Sequence, residues 1–144
     1  MNLLNSYLKE IIKQVKNNKE INSLLSEKNF SNINIDIPPE SINFDLSSNI
    51  ALVLGKRNKI NPKEVAVIIQ KILSSKIKDF SSVDIAGPGF INIKLSNNSW
   101  VKNINSIFKN KKNFGNNKNN KKYNIEFVSA NPTGPLHVGH GRGA

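Results

Sequence analysis

Apolar residues recur at helical spacing in five stretches of the chain, and each stretch predicts a helix with one apolar side. The predicted helices cover residues 3–16, 21–25, 50–54, 62–73 and 100–108. The fourth has the clearest start, because Asn61 suits an N-cap, Pro62 suits the first helical position and Glu64 stands at the third. Before the third helix, Ser47, Ser48 and Asn49 are each residues that can cap a helix.

Apolar and polar residues alternate in two further stretches of the chain, and this period of two predicts β-strands. Ile33, Ile35 and Ile37 form one such pattern, which ends at two prolines that cannot donate to a strand ladder. Residues 82–95 predict a hairpin, because the sequence Ala-Gly-Pro-Gly at 86–89 interrupts the alternation with turn residues. Taken in chain order, the predicted elements are helices, a strand, helices, a hairpin and a helix. This order predicts a small α+β domain.

Residues 109–122 predict a linker. They contain six lysines, no acidic residue and one apolar side chain, Phe114. Such a segment cannot bury enough apolar surface to offset its chain entropy. After it, Tyr123, Ile125 and Phe127 alternate again and predict a strand that opens a second domain.

The chain has a formal net charge of +11, from 21 basic and 10 acidic residues. A basic balance favours a polyanionic partner such as nucleic acid. Lys, Asn and Ile, which all have A/T-rich codons, are abundant, so genome composition accounts for the lysines equally well. Charge alone leaves both explanations open.

Composition excludes several classes of protein. There is no cysteine, so disulfides, thiolate catalysis and Cys-bound zinc are absent. Two histidines, His137 and His140, are too few for a His-rich metal site. We expect no membrane span, because the longest apolar runs have five residues where a span needs about 20. The N-terminus lacks the layout of a signal peptide, and we expect a cytoplasmic protein.

Residues 124–144 carry the chemistry that the sequence suggests. A strand leads into a loop with two prolines and then into His137-Val-Gly139-His140. Two imidazoles three residues apart share one side of a helical turn, where both can donate to phosphate oxygens. This arrangement favours nucleotide binding, although four residues alone also arise by chance as ordinary surface histidines.

The longer string, Ile125 to Ala144, closely resembles the first signature of the arginyl-tRNA synthetases, the HIGH region of that class I family. Residues 45–52, Asp-Leu-Ser-Ser-Asn-Ile-Ala-Leu, and 86–92, Ala-Gly-Pro-Gly-Phe-Ile-Asn, resemble two segments of the family's additional N-terminal domain. The resemblance implies an α+β additional domain over 1–108, a sheet with helices on one side. A linker over 109–122 and the first strand and turn of a Rossmann-like catalytic domain over 123–144 would follow.

The resemblance also implies an activity, the ATP-dependent activation of arginine and its transfer to tRNA(Arg). His137 and His140 would bind ATP, with Mg²⁺, and stabilise the phosphate as the carboxylate of arginine attacks it. Gly139 would make room for the adenosine. No bound cofactor and no protein metal site are implied.

In the same resemblance, Glu126 would face the guanidinium of arginine in a charge-assisted contact. Asn131, with Ser129 and His140, would hold the amino-acid end of that substrate. The alternative roles are a solvent-facing strand residue for Glu126 and a turn cap before Pro132 for Asn131.

The additional domain of this family touches the D-loop corner of tRNA, and Asn49, Ser48 and Leu46 lie in the segment that does so. Leu46 cannot stack on a base as the aromatic residue of many family members does. Asn49 serves equally well as a base contact or as a helix cap. We interpret the turn at 87–89 as structural.

Two functions remain open: the N-terminal part of an arginine–tRNA ligase, and a non-catalytic tRNA-binding module. A different nucleotidyl transferase is disfavoured by the length of the match. Some family members carry a lysine in the loop before His-x-Gly-His, where this chain has Gly134, so a lysine further along would be needed. We therefore expect the 144 residues alone to be inactive, and we expect a monomer.

Overall fold

A computed structural model describes residues 3–116, 122–125, 134–135 and 137–142. The helices are α1 (Leu3–Lys16), α2 (Lys19–Leu24), α3 (Ile50–Asn58), α4 (Pro62–Lys76), α5 (Asn97–Asn110) and α6 (Val138–Gly141). The strands are β1 (Ile35–Asp36), β2 (Leu46–Ser48), β3 (Phe80–Ala86) and β4 (Phe90–Leu95), and a 3₁₀ turn covers Lys111–Asn113. No described helix is long and apolar enough to cross a membrane.

The four strands form one antiparallel sheet in the order β1-β2-β4-β3. Ser47 pairs with Asp36 on one side and with Asn92 on the other, and Asn92 pairs with Asp84. Because directly paired residues point to the same side of a sheet, these four form a polar row across one face. We call this the outer face.

The opposite, inner face of the sheet carries the apolar core. Ile35, Leu46, Ile91 and Ile93 lie on it and are at most 6% exposed. Helices α1, α3 and α4 pack on this face and bury one stripe each, including Ile11, Leu54 and Ile69. A sheet with helices on one side is the small α+β domain that the sequence predicts.

The predicted start of α4 is confirmed. The Oδ1 atom of Asn61 accepts a hydrogen bond from Lys63 N at 3.0 Å, and Pro62 is the first helical residue. At α3 the predicted cap differs in detail. Asn49 occupies the N-cap position without a capping bond from its side chain, while Ser48 Oγ accepts from Ile50 N at 3.3 Å.

Side chains of α3 hold the irregular segment 26–34 in place. Asn58 Oδ1 accepts from Glu27 N at 2.7 Å and its Nδ2 donates to Glu27 O at 3.1 Å. Arg57 donates to Asn29 O and, at 2.9 Å, to Ser31 Oγ. The segment therefore has fixed backbone positions although it contains no helix or strand.

Three further predictions differ from the structure. The strand at 46–48 is not predicted from the sequence, because Ser47 and Ser48 look like helix caps. Ile37 is 74% exposed, so the alternation that starts at Ile33 ends after Asp36. Helix α5 continues to Asn110 and the 3₁₀ turn follows, so the predicted linker begins as ordered structure.

Part of the second predicted domain lies outside the described residues. Residues 122–125 are exposed and belong to no strand, and 126–133 are not described. The start of a Rossmann-like domain therefore stays a prediction.

Candidate nucleic-acid interface

The outer face of the sheet contains a cleft of about 390 Å³. One wall is the segment 37–42, with Ile37, Pro38 and Pro39, and the other is the hairpin turn between β3 and β4. The floor is part of the polar row, Asp36, Ser47 and Asn92. A volume of this size lies within the range of clefts that hold small flat molecules.

Asn92 is the polar centre of this floor. It is 5% exposed, and its Oδ1 accepts a hydrogen bond from Ser47 Oγ at 2.8 Å. Because Oδ1 is oriented by this bond, the amide is fixed in one direction. A buried amide with a fixed orientation is a group that can distinguish hydrogen-bonding edges.

Phe90 forms the aromatic part of the cleft. It is the first residue of β4, and its side chain is 41% exposed at the end of the hairpin turn. The turn is tight because Gly87 and Gly89 adopt φ of 53° and 137°, which only glycine adopts readily. An aromatic ring with one accessible side can stack on a nucleobase.

The charge of the cleft favours an uncharged ligand group. Among the described residues that line it there is no lysine or arginine, and Asp36 is the one charged residue. A phosphate would meet this carboxylate without a compensating cation. The cleft therefore suits a base rather than the sugar-phosphate backbone.

Asn49 lines the same cleft and is half-buried. Its Oδ1 accepts from Asn34 N at 2.8 Å, and its Nδ2 donates to Asn32 O at 3.3 Å. The amide thus joins the start of α3 to the segment before β1. This role is neither of the two that the sequence left open, although one edge of Asn49 still faces the cleft.

The structure places the other two residues of that predicted contact in the interior. Leu46 is 2% exposed on the inner face of β2. Ser48 is 1% exposed, and its hydroxyl donates to Asn34 O at 2.9 Å. Both residues are buried on β2, the strand that also carries Ser47 of the cleft floor. A direct contact of either residue with tRNA stays a prediction.

The predicted nucleotide-binding residues are described in part. His137 is exposed, and its Nδ1 accepts a hydrogen bond from Gly139 N at 3.1 Å. His140 lies in the four-residue helix α6, as the sequence predicts, but its side chain is not described.

The predicted arginine contacts, Glu126, Ser129 and Asn131, lie outside the described residues. The described residues contain no cluster of His, Cys, Asp and Glu that could hold a metal ion.

Sequence reasoning missed Phe90 and Asn92. Both residues lie in the segment 86–92 that resembles the additional domain, but the sequence analysis interprets the turn there as structural and assigns neither residue a contact. The available signal was an aromatic residue and an amide two positions apart on β4, which places both side chains on one face of the sheet.

Comparison with known proteins agrees with this fold. Residues 2–95 match the family model described as the arginyl tRNA synthetase N terminal domain. The chain is 46% identical over 146 residues, and over its full length, to an arginine–tRNA ligase of Pelagibacter ubique. It is 50% identical over 112 residues, 76% of the chain, to that of Lawsonia intracellularis. It is 40% identical over its full length to that of Rickettsia felis.

The matched region is 25%, 20% and 24% of these three relatives, so the chain spans about a quarter of their length. The family model covers well over half of this chain, including every strand and the helices α1 to α4. The chain therefore belongs to the family defined by the N-terminal domain of arginyl-tRNA synthetase.

Proposed function

We propose that the chain is the N-terminal part of an arginine–tRNA ligase and that its α+β domain binds tRNA(Arg). The reaction is the ATP-dependent activation of arginine and its transfer to the tRNA. Support comes from the family of residues 2–95 and from relatives that are named arginine–tRNA ligases and match the chain over its full length.

The observation that carries tRNA binding is the cleft on the outer face of the sheet. Phe90 stacks on a base of the D-loop, and the amide of Asn92 contacts the edge of that base. The absence of lysine and arginine from the described lining residues agrees with this role, because a base is uncharged at its edge and on its face. Lysines elsewhere on the chain supply attraction to phosphates, which positions the RNA without reading its sequence.

The remaining assignments concern the segment after the linker. His137, Gly139 and His140 bind ATP with its Mg²⁺, and the two imidazoles face the phosphate that arginine attacks. Glu126 pairs with the guanidinium of arginine, while Ser129, Asn131 and His140 hold its amino-acid end. These roles are supported by the resemblance of residues 125–144 to the HIGH region, and the short helix at 138–141 is compatible with it.

A substitution of Phe90 tests the cleft. We expect Phe90→Ala to weaken the binding of tRNA(Arg) about tenfold, since stacking on one base is worth ~1–3 kcal/mol. Phe90→Tyr keeps the ring and should bind like the unaltered chain. The measurement is a filter-binding or fluorescence titration at constant salt.

Phe108→Ala is the matched control, because Phe108 is a 71% exposed phenylalanine away from the cleft. It should leave affinity unchanged. A tRNA(Arg) with abasic D-loop positions should bind the unaltered chain and Phe90→Ala equally. Equal affinity of Phe90→Ala and the unaltered chain for intact tRNA(Arg) would contradict the proposal.

A further inference from the structure

Helix α5 exposes an apolar stripe. Its members are Trp100, Val101, Ile104, Ile107 and Phe108, which are between 40% and 71% exposed. Their spacing of three and four residues places them along one side of the helix. From Trp100 to Asn110 every residue is exposed except the half-buried Asn103. We call these five residues the α5 stripe.

The first turn of α5 supplies its main attachment to the domain. Ser96 N and the hydroxyl of Ser99 both donate to Asp79 O, at 2.9 and 2.8 Å. Lys102 Nζ donates to the Asp79 carboxylate at 2.9 Å, and this bond and charge raise the pKa of Lys102. The rest of the helix extends beyond this anchor, and described residues cover only part of its stripe.

The stripe continues into a second cleft. This cleft has a volume of about 790 Å³ and is lined by Trp100, by Leu3 and Leu4 of α1, and by the segment 37–46. Trp100 therefore belongs to both surfaces. The cleft also contains the polar residues Glu40, Asn43 and Asp45, so the α5 stripe is the more apolar of the two surfaces.

A second copy of the chain is a poor occupant for the α5 stripe. The exposed part of the α5 stripe is roughly 500 Å², if a fully exposed aromatic side chain offers 150–250 Å². A stable association buries about 800 Å² on each partner. Two copies would also bring together two net charges of +11.

A tethered occupant avoids the objection from area. In the relatives about three quarters of the length lies outside the matched region, and that region is an N-terminal domain. A tether of a dozen residues holds two surfaces at about millimolar effective concentration, so a small apolar patch is enough.

We infer that the α5 stripe is an intramolecular docking surface for the catalytic region that follows position 144 in the ligase. This inference rests on the proposed function, since it needs the longer protein. It gives α5 a role in holding two domains together. The cleft on the outer face of the sheet has a different role, the binding of tRNA under the proposed function.

The test uses a chimeric ligase in which residues 1–144 replace the matching quarter of the Pelagibacter ubique relative. Hydrogen exchange of the peptide covering 97–110 is compared between the chimera and the 144-residue chain. We expect exchange at least tenfold slower in the chimera. The double variant Ile104→Gln/Ile107→Gln should remove this difference, because glutamine keeps the helix and loses the apolar contact.

The matched control is Asn105→Gln/Lys109→Gln, which changes exposed residues of α5 outside the stripe. It should keep the slow exchange. Equal exchange of α5 in the chimera and in the chain alone would overturn the inference. So would a dimer of the 144-residue chain in sedimentation that the Ile104→Gln/Ile107→Gln variant abolishes, since the stripe would then bind a second copy.

Charging of tRNA(Arg) by the chimera separates this inference from the proposed function. A chimera that forms arginyl-tRNA while α5 exchanges rapidly contradicts docking and leaves the proposed function intact. A chimera with a protected α5 that forms no arginyl-tRNA contradicts the proposed function alone. A second chimera with the Rickettsia felis relative replaces the first if that protein is insoluble.

Discussion

At the scale of single residues, the amide of Asn49 joins two segments that are about 15 positions apart in sequence. Both its oxygen and its nitrogen bond to backbone atoms of the segment 32–34. That segment leads directly into β1, whose Asp36 forms part of the cleft floor. Asn49 therefore shapes the cleft through the backbone that it holds.

Asn49→Ala should lower the free energy of unfolding by about 1 kcal/mol, because its two hydrogen bonds are solvent-exposed and contribute ~0.5 kcal/mol each. Urea denaturation measures this change. Asn105→Ala is the control, an exposed asparagine in α5, and its effect should stay within about 0.5 kcal/mol. A loss of tRNA affinity in Asn49→Ala without any loss of stability would instead indicate a direct base contact.

At the scale of elements, the start of α4 is the point where three parts of the fold meet. A Cβ atom at Gly55 of α3 would lie 2.9 Å from Pro62 Cα. One at Gly89, in the hairpin turn, would lie 3.1 Å from Pro62 Cβ. The helix pair α3–α4 and the hairpin thus approach the same proline, and both need glycine at the contact.

The two glycines of the hairpin turn provide a matched pair of substitutions. Gly87→Ala should cost about 1 kcal/mol, since φ of 53° is strained for alanine but the added Cβ meets open space. Gly89→Ala should cost about 3 kcal/mol, because φ of 137° is nearly restricted to glycine and the Cβ also meets Pro62. Thermal unfolding followed by circular dichroism gives both values. Equal losses would contradict both the stronger restriction of φ at Gly89 and the cost of the contact with Pro62.

At the scale of the whole molecule, the two faces of the sheet have different roles. Its inner face and helices form the core, and its outer face presents the cleft.

We expect the 144-residue chain to bind tRNA(Arg) but to form no arginyl-tRNA with arginine and ATP, because it spans a quarter of its relatives. Affinity should fall steeply between about 50 and 200 mM salt, as phosphate contacts release counterions.

A filter assay with radiolabelled arginine measures charging by the chain, and the chimeric ligase is its positive control. Detectable arginyl-tRNA from the chain would contradict this expectation. Salt-dependent binding that ignores the D-loop would favour nonspecific attraction by lysines, and genome composition as the explanation for the charge of +11.

The sequence predicted most elements because their signals are local. The helices at 3–16 and 62–73, and the hairpin turn at Gly87 and Gly89, depend on spacing and turn chemistry that neighbours reinforce. Strand β2 was missed because three residues carry no periodicity, and it exists only through its pairing with β1 and β4. The cleft was missed for the same reason, since Phe90, Asn92 and Ser47 meet only after the strands align.

Because α5 is attached to the domain mainly at Asp79, a small rotation at that end moves the other end of the helix by several ångströms. Its 14 residues span about 21 Å at 1.5 Å per residue. A rotation of ~10° about the Asp79 anchor would therefore move the far end, where the linker begins, by ~4 Å. A change in the hydrogen bonds of Ser96, Ser99 and Lys102 would therefore displace the chain that follows, so the backbone carbonyl and the carboxylate of residue 79 together set the direction in which the linker starts.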